Sequence, residues 1–230
     1  MNVHWPNDIA AARKLQELYR QRVRVAPLDR EPRFVAGVDA SFSGDRVFGA
    51  ACVYRFPELT LVEQAGAVAT VPFPYVPGFL LFREGPAIIA AIRRLKTRPD
   101  LLLVDGQGIA HPMGIGSASH LGILLGIPAI GCAKTRLVGE YREPGKHRGD
   151  RSELNCEGRT VGAVLRTRTT VRPLFVSPGH KVDLEDAIRM VMLCAGKYRI
   201  PEPLRCADWM SRRMKAESGA IPPPSPTLSP

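Results

Sequence analysis

The chain has 230 residues, 45% of them hydrophobic, and 32 Lys and Arg against 22 Asp and Glu give it a formal charge of +10. That length supports one substantial core. No run of about 18 consecutive apolar residues offers a membrane span. The opening MNVHWPND lacks the basic start and apolar stretch of a secretory signal, so cytoplasmic residence is the expectation.

Five scattered cysteines (Cys52, Cys132, Cys156, Cys194, Cys206) with no CxxC pair argue against a disulfide framework and a zinc site. The positive excess suits phosphate polyanions through counterion release, although a soluble basic surface has the same composition. It is concentrated between Lys134 and Arg172, where ten Lys or Arg stand against five Asp or Glu. That segment reads as a basic surface loop followed by strands.

Along the chain, Asn7 is placed to cap a helix over about Asp8–Arg24, with Ile9, Leu15, Leu18 and Tyr19 on one stripe. Three strands follow, Phe34–Ser41, Val47–Tyr54 and Leu59–Val68, joined at Ser43-Gly44-Asp45 and at Pro57. After the Pro-rich loop PFPYVPG (Pro72–Gly78), helical spacing returns over Phe79–Leu95, with Gly85-Pro86 dividing it. Leu101–Asp105 reads as a buried strand, Ser117–Leu125 as a helix with Ser117 as its cap, and Ala129–Cys132 as a strand. Strands near Thr160–Arg166 and Leu174–Val176 precede helices over Leu184–Cys194 and Pro203–Lys215. Residues 219–230 are Pro- and Ser-rich and predict a disordered tail behind a single domain of residues 1–218. Three antiparallel strands and then alternating helix and strand make a mixed α/β sheet flanked by helices.

Asp39 and Asp105 end two apolar runs, FVAGVD and LLLVD. If the fourth strand lies parallel to the first, both carboxylates reach one carboxyl-end crevice, where open α/β sheets bind ligands. A hard cation would stabilise them there, because a buried unpaired charge is costly. Taken singly, each aspartate equally suits a turn or a cap. Gly37, on the Asp39 face, leaves room beside it, and Glu84 falls just before Gly85-Pro86. The loop from Asp105 to Gly122 has five glycines in eighteen residues and leads into a helix, like a phosphate cradle, although it fits neither GxxxxGK[ST] nor GxGxxG. Within it, Gly108 lets backbone approach a ligand, and His111 is placed to reach a phosphate or orient water. Tyr75, stiffened by Pro72, Pro74 and Pro77, is either a wedge for a base stack or a core aromatic. Lys134 follows a strand end and can face phosphate charge. In SPGHKVDLEDA, Asp183 either caps a helix or supplies a ligand, with His180 close before it.

Together the stretches FVAGVDASF, PYVPGFLLFREGPA, LLLVDGQGIAHPMGIGSASHLGILLGIPAIGCAK and SPGHKVDLEDA, spanning about residues 8–215, closely resemble endonuclease V. The resemblance implies an RNase H-like fold. It also implies nicking at the second phosphodiester bond 3′ to deaminated bases, chiefly hypoxanthine, leaving 3′-hydroxyl and 5′-phosphate ends. Mg²⁺ is the implied cofactor, with Mn²⁺ the candidate substitute. Asp39 and Asp105 match the principal metal ligands, Glu84 the third acid and Asp183, more loosely, a further carboxylate. Lys134 joins the catalytic set. Tyr75 matches the strand-separating wedge between Pro74, Val76 and Pro77, while Gly108, His111 and His180 are taken as substrate contacts. The implied partner is DNA containing deaminated bases, or inosine-containing RNA, bound by a monomer away from membranes. The alternatives are a ribonuclease of the same fold acting on hybrids or structured RNA, a non-catalytic nucleic-acid-binding module, and a small-molecule phosphate-binding enzyme.

Overall fold

The structure is a computed structural model that describes residues 5–71 and 73–219. The predicted tail, apart from Gly219, lies outside the described residues, as do Pro72 and the first four residues. A first helix, α1 (Ile9–Arg20), leads into an antiparallel meander of β1 (Phe34–Ser43), β2 (Arg46–Arg55) and β3 (Thr60–Thr70). Then come α2 (Leu80–Arg94), β4 (Leu101–Val104), α3 (Ser117–Leu125) and β5 (Ala129–Ala133). The chain closes with β6 (Arg151–Cys156), β7 (Arg159–Leu165), β8 (Leu174–His180), α4 (Leu184–Ala195) and α5 (Glu202–Glu217).

The eight strands of the described residues form one sheet in the order β3-β2-β1-β4-β5-β8-β7-β6. β4 lies parallel to β1, and β5 parallel to β4, whereas β8 runs antiparallel to β5. Strand alternation divides the core into two layers. Val35, Leu101, Leu103 and Ile130 face α4 and α5 through Met190, Val191 and Leu204. Ala36, Val38, Leu102 and Val104 face α2 and α3 through Leu81, Ile88, Ile92 and Leu121. Each fully buried Leu or Ile of these layers stabilises the fold by roughly 1.5–3 kcal/mol. By the same alternation, Asp39 and Asp105 continue the face covered by α5. No helix among the described residues is long and apolar enough to cross a membrane.

Several local expectations are corrected. The α1 cap is Asp8, whose carboxylate accepts from the Ala11 amide at 2.8 Å, so Asn7 lies outside the helix. Ile9 and Leu18 are exposed, and the buried stripe is Ala12 and Gln16. Helix α2 runs unbroken through Pro86, because Leu81 and Phe82 before it and Ala87, Ile88 and Ile92 after it are buried together. Gly37 leaves no room beside it, since a Cβ there would overlap the backbone of Pro203 and Leu204 at the start of α5. Strand β6 has no counterpart among the predicted strands. As an edge strand with Leu154 its one fully buried side chain, it has almost no apolar signature.

Candidate active site

The parallel pairing of β1 and β4 brings Val38 opposite Val104, and the Asp105 amide then donates to the Val38 carbonyl at 3.4 Å. Asp39, within β1, and Asp105, just past the end of β4, are therefore the next residues beyond one paired position on adjacent strands. A cavity of about 570 Å³ opens at this point, lined by Asp39, Glu84, Asp105, Asp208, Lys134 and Arg212 among others. Glu84 enters from α2 and is only 7% exposed, so it is no solvated face residue. Lys134, just past β5, ion-pairs with Asp105.

Electrostatics mark this cluster as crowded. Burial, then repulsion from Asp105 and Asp208, holds the Asp39 pKa well above the usual carboxylate range. Glu84 is raised in the same way, by burial first and then by Asp39 and Asp105. Burial opposes the charge on Lys134, but Asp105, Asp39 and Asp208 together raise its pKa. The donor set is all carboxylate oxygen, the chemistry of a hard divalent cation. Among the described residues, no three acidic, His or Cys side chains already form a closed ligand group. Instead, Lys134 and Arg212 sit on Asp105 and Asp208 and partly neutralise them.

Asp208 also lines this cavity and is absent from the expected site residues. It sits on α5, beside the buried stripe of Leu204, Ala207 and Ser211, and α5 crosses the same sheet face that Asp39 occupies. A helical acid flanking a buried stripe was the available signal, but helical spacing alone does not say which end of the sheet the helix crosses.

A second cavity, of about 300 Å³, shares Asp105 and Lys134 with the first. Its walls include Tyr75, Val76, Pro77, Leu81 and Ile115. Tyr75 stands 69% exposed, and Pro74 and Pro77 beside it are exposed too, so the tyrosine does not fold onto the core. Below this tip the loop is tied down. Arg83 donates to the Phe73 carbonyl at 2.7 Å, while Gln16 donates to the Gly78 carbonyl at 2.7 Å. Phe73 itself is buried among Phe79 and Phe82.

Of the predicted contacts, His111 lines the second cavity, whereas Gly108, His180 and Asp183 line neither. Yet the His111 Nε2 lies 2.9 Å from the Gly78 carbonyl and its Nδ1 accepts from the Met113 amide at 3.1 Å. Both nitrogens are thus spent on anchoring the loop. Gly108 donates to Ser177 Oγ at 2.8 Å, and a Cβ there would overlap the Pro178 backbone, so it serves close packing rather than ligand approach. The start of α3 is no open phosphate cradle either. Gly116 is its cap in place of Ser117, and the Gly116 and Ala118 amides donate to the Gly108 and Gln107 carbonyls.

His180 and Asp183 lie at the far end of the sheet. Because β8 is antiparallel to β5, His180 pairs with Ala129 at the start of β5, whereas Lys134 follows its end. Asp183 caps α4 by accepting from the Asp186 amide at 2.8 Å, and it lines neither cavity. His120, by contrast, packs as a buried ring edge-on to Tyr19 and Phe82.

Comparison with known proteins identifies the family. The sequence profile of the Endonuclease V family matches residues 17–209. Endonuclease V of Geotalea uraniireducens is 51% identical over 208 residues, covering 90% of this chain and 89% of its own. The crystal structure of endonuclease V from Streptomyces avermitilis superposes with a TM-score of 0.90 at 42% identity, covering 96% of this chain and 98% of that one. That of the Ciona intestinalis enzyme, solved with a 24mer DNA containing an inosine followed by a ribo-adenosine, has a TM-score of 0.82 at 28% identity. It covers 91% of this chain and 98% of its own. The chain belongs to the endonuclease V family and is a nuclease of that type.

Proposed function

We propose that this nuclease depends on a divalent metal, Mg²⁺ with Mn²⁺ as substitute, and cuts nucleic acid at the second phosphodiester bond 3′ to a deaminated base, chiefly hypoxanthine. The observation that carries this reading is the placement of Asp39 and Asp105 beyond the Val38–Val104 pair, with Glu84 and Lys134 beside them and a second cavity adjoining. Asp39, Asp105 and Glu84, with Asp208 in the place expected for Asp183, are the residues that would hold the cation. A cation bound there supplies positive charge against the phosphate oxygens and makes a nearby water more acidic.

The chain's own residues do the rest. Burial first, and repulsion among the carboxylates second, raise the pKa values of Asp39 and Glu84, and a cation held between them would offset both costs. Lys134, between the two cavities, is set to face charge that builds on the scissile phosphate. The cavity of about 300 Å³ takes the extruded base, and extrusion is easier for a poorly paired base than for a normal one. Tyr75, held out on its anchored loop, fills the gap that the base leaves in the stack. Water attack then leaves a 3′-hydroxyl and a 5′-phosphate.

A second substrate, inosine-containing RNA, is favoured by one finding: the Ciona relative was crystallised on a strand with ribose directly after the inosine. The experiment is a cleavage assay on inosine-containing and undamaged duplexes, with and without Mg²⁺, mapped to the nucleotide. Cutting at the second bond 3′ to inosine, only with the metal, supports the reading. Equal cutting of both duplexes, or cutting in EDTA, overturns it.

A further inference from the structure

We propose that α5 carries a phosphate-binding face, formed by Arg212 and Lys215, that grips the nucleic-acid backbone beside the acidic cavity. This rests on the reading above that nucleic acid is the substrate. Asp208, Arg212 and Lys215 recur at helical spacing on one stripe of α5, and all three line the cavity that holds Asp39 and Asp105. The intervening Arg213 is turned elsewhere, paired with Glu217 at 2.7 Å and lying over the Trp209 ring at 5.3 Å.

The cavity sets four carboxylates, Asp39, Glu84, Asp105 and Asp208, against three cations, Lys134, Arg212 and Lys215. A polyanion approaching such a cluster is repelled unless cations on its rim offset the field. Lys134 is engaged with Asp105. Arg212 holds Asp208 at 2.9 Å yet remains 56% exposed, and a guanidinium has donors enough to hold a carboxylate on one edge and a phosphate on the other. Lys215 makes no ion pair among the described residues. The face is also firmly mounted. Ser41 of β1 donates to the Ser211 carbonyl at 2.8 Å, and the start of α5 packs directly on Gly37.

The test is the salt dependence of binding to an inosine duplex, read by fluorescence anisotropy with Ca²⁺ in place of Mg²⁺ to restrain cleavage. Wild type is compared with Arg212→Ala, Lys215→Ala and Arg213→Ala. Each lost phosphate contact lowers the slope of log K against log salt by about 0.9, or about fivefold in affinity near 0.15 M salt. Arg212→Ala and Lys215→Ala are expected to show that loss equally on inosine and undamaged DNA, and Arg213→Ala to keep the wild-type slope. A slope unchanged in both of the first two, or lowered as much in Arg213→Ala, overturns the proposal. If only one of the two loses slope, the other does not belong to the face. Thermal melts identify a misfolded variant, and Lys215→Ala, with no ion pair to break, keeps the test open if Arg212→Ala unfolds. Wild-type protein that fails to nick inosine DNA with Mg²⁺ would instead refute the functional reading on which the face depends.

Discussion

Lys134 and Asp105 form an ion pair at the partition between two cavities, one lined by carboxylates and the other by Tyr75, Val76 and apolar side chains. On the proposed function, phosphate chemistry and base recognition would share this wall, and a change in either residue would reach both.

Asp39→Asn and Asp105→Asn should each reduce nicking of an inosine duplex by at least about a hundredfold, while circular dichroism stays that of wild type. Each removes a charged oxygen donor without changing side-chain volume. Nicking at the wild-type rate in either variant would remove that residue from the site.

Glu84→Gln should separate stability from activity. Glu84 is buried and repelled by Asp39 and Asp105, so a neutral isostere relieves a cost in the metal-free protein. A gain of about 1 kcal/mol, or a melting temperature higher by about 2–4 °C in EDTA, is expected together with slower nicking. A lower melting temperature would mean that the Glu84 carboxylate contributes to the fold.

Tyr75→Ala should weaken affinity for inosine DNA about tenfold or more and leave thermal stability within about 0.5 kcal/mol, since the ring touches little of the protein. Competition against undamaged duplex is the measurement. An unchanged inosine preference would exclude the wedge role.

Gly37→Ala should destabilise by about 2–3 kcal/mol, because the added methyl meets the Pro203 backbone. It should also slow nicking beyond what the melt explains, since α5 brings Asp208 and Arg212 to the site. Urea titration and a nicking assay on the folded fraction separate the two effects.

His120 makes stability depend on pH. Burial, with a smaller contribution from His111, lowers its pKa to about 3, whereas an unfolded histidine titrates near 6.5. Below about pH 6.5 the unfolded chain therefore binds more protons, and stability falls as pH drops through that window toward 3. His120→Phe, which keeps an aromatic ring between Tyr19 and Phe82, should reduce the loss between pH 7.5 and 5 by about 2 kcal/mol. Equal losses in both proteins by urea titration would contradict this assignment.

Much of the sheet and part of the candidate site are legible in the sequence. Short apolar runs ending in Asp39 and Asp105 carry their own strand periodicity, and the parallel pairing of β1 with β4, a condition in the sequence reading, brings the two acids together. The direction of a later strand has no such local signature. The expectation that His180 and Asp183 join the site therefore fails, because antiparallel β8 carries them to the opposite end of the sheet. Asp208 was missed for a related reason, since which strand a terminal helix crosses depends on close packing such as Gly37 against Pro203. The expectations of Gly108 as a ligand contact and of the Asp105–Gly122 loop as a phosphate cradle fail because neighbouring backbone fills the space beside Gly108 and Gly116.

The most direct check on the central claim is anomalous diffraction from crystals of this protein soaked in Mn²⁺. The site described here predicts one strong peak touched by carboxylate oxygens of both Asp39 and Asp105, lost in Asp105→Asn crystals. A peak that contacts only one of the two, or that appears elsewhere in the molecule, would contradict it.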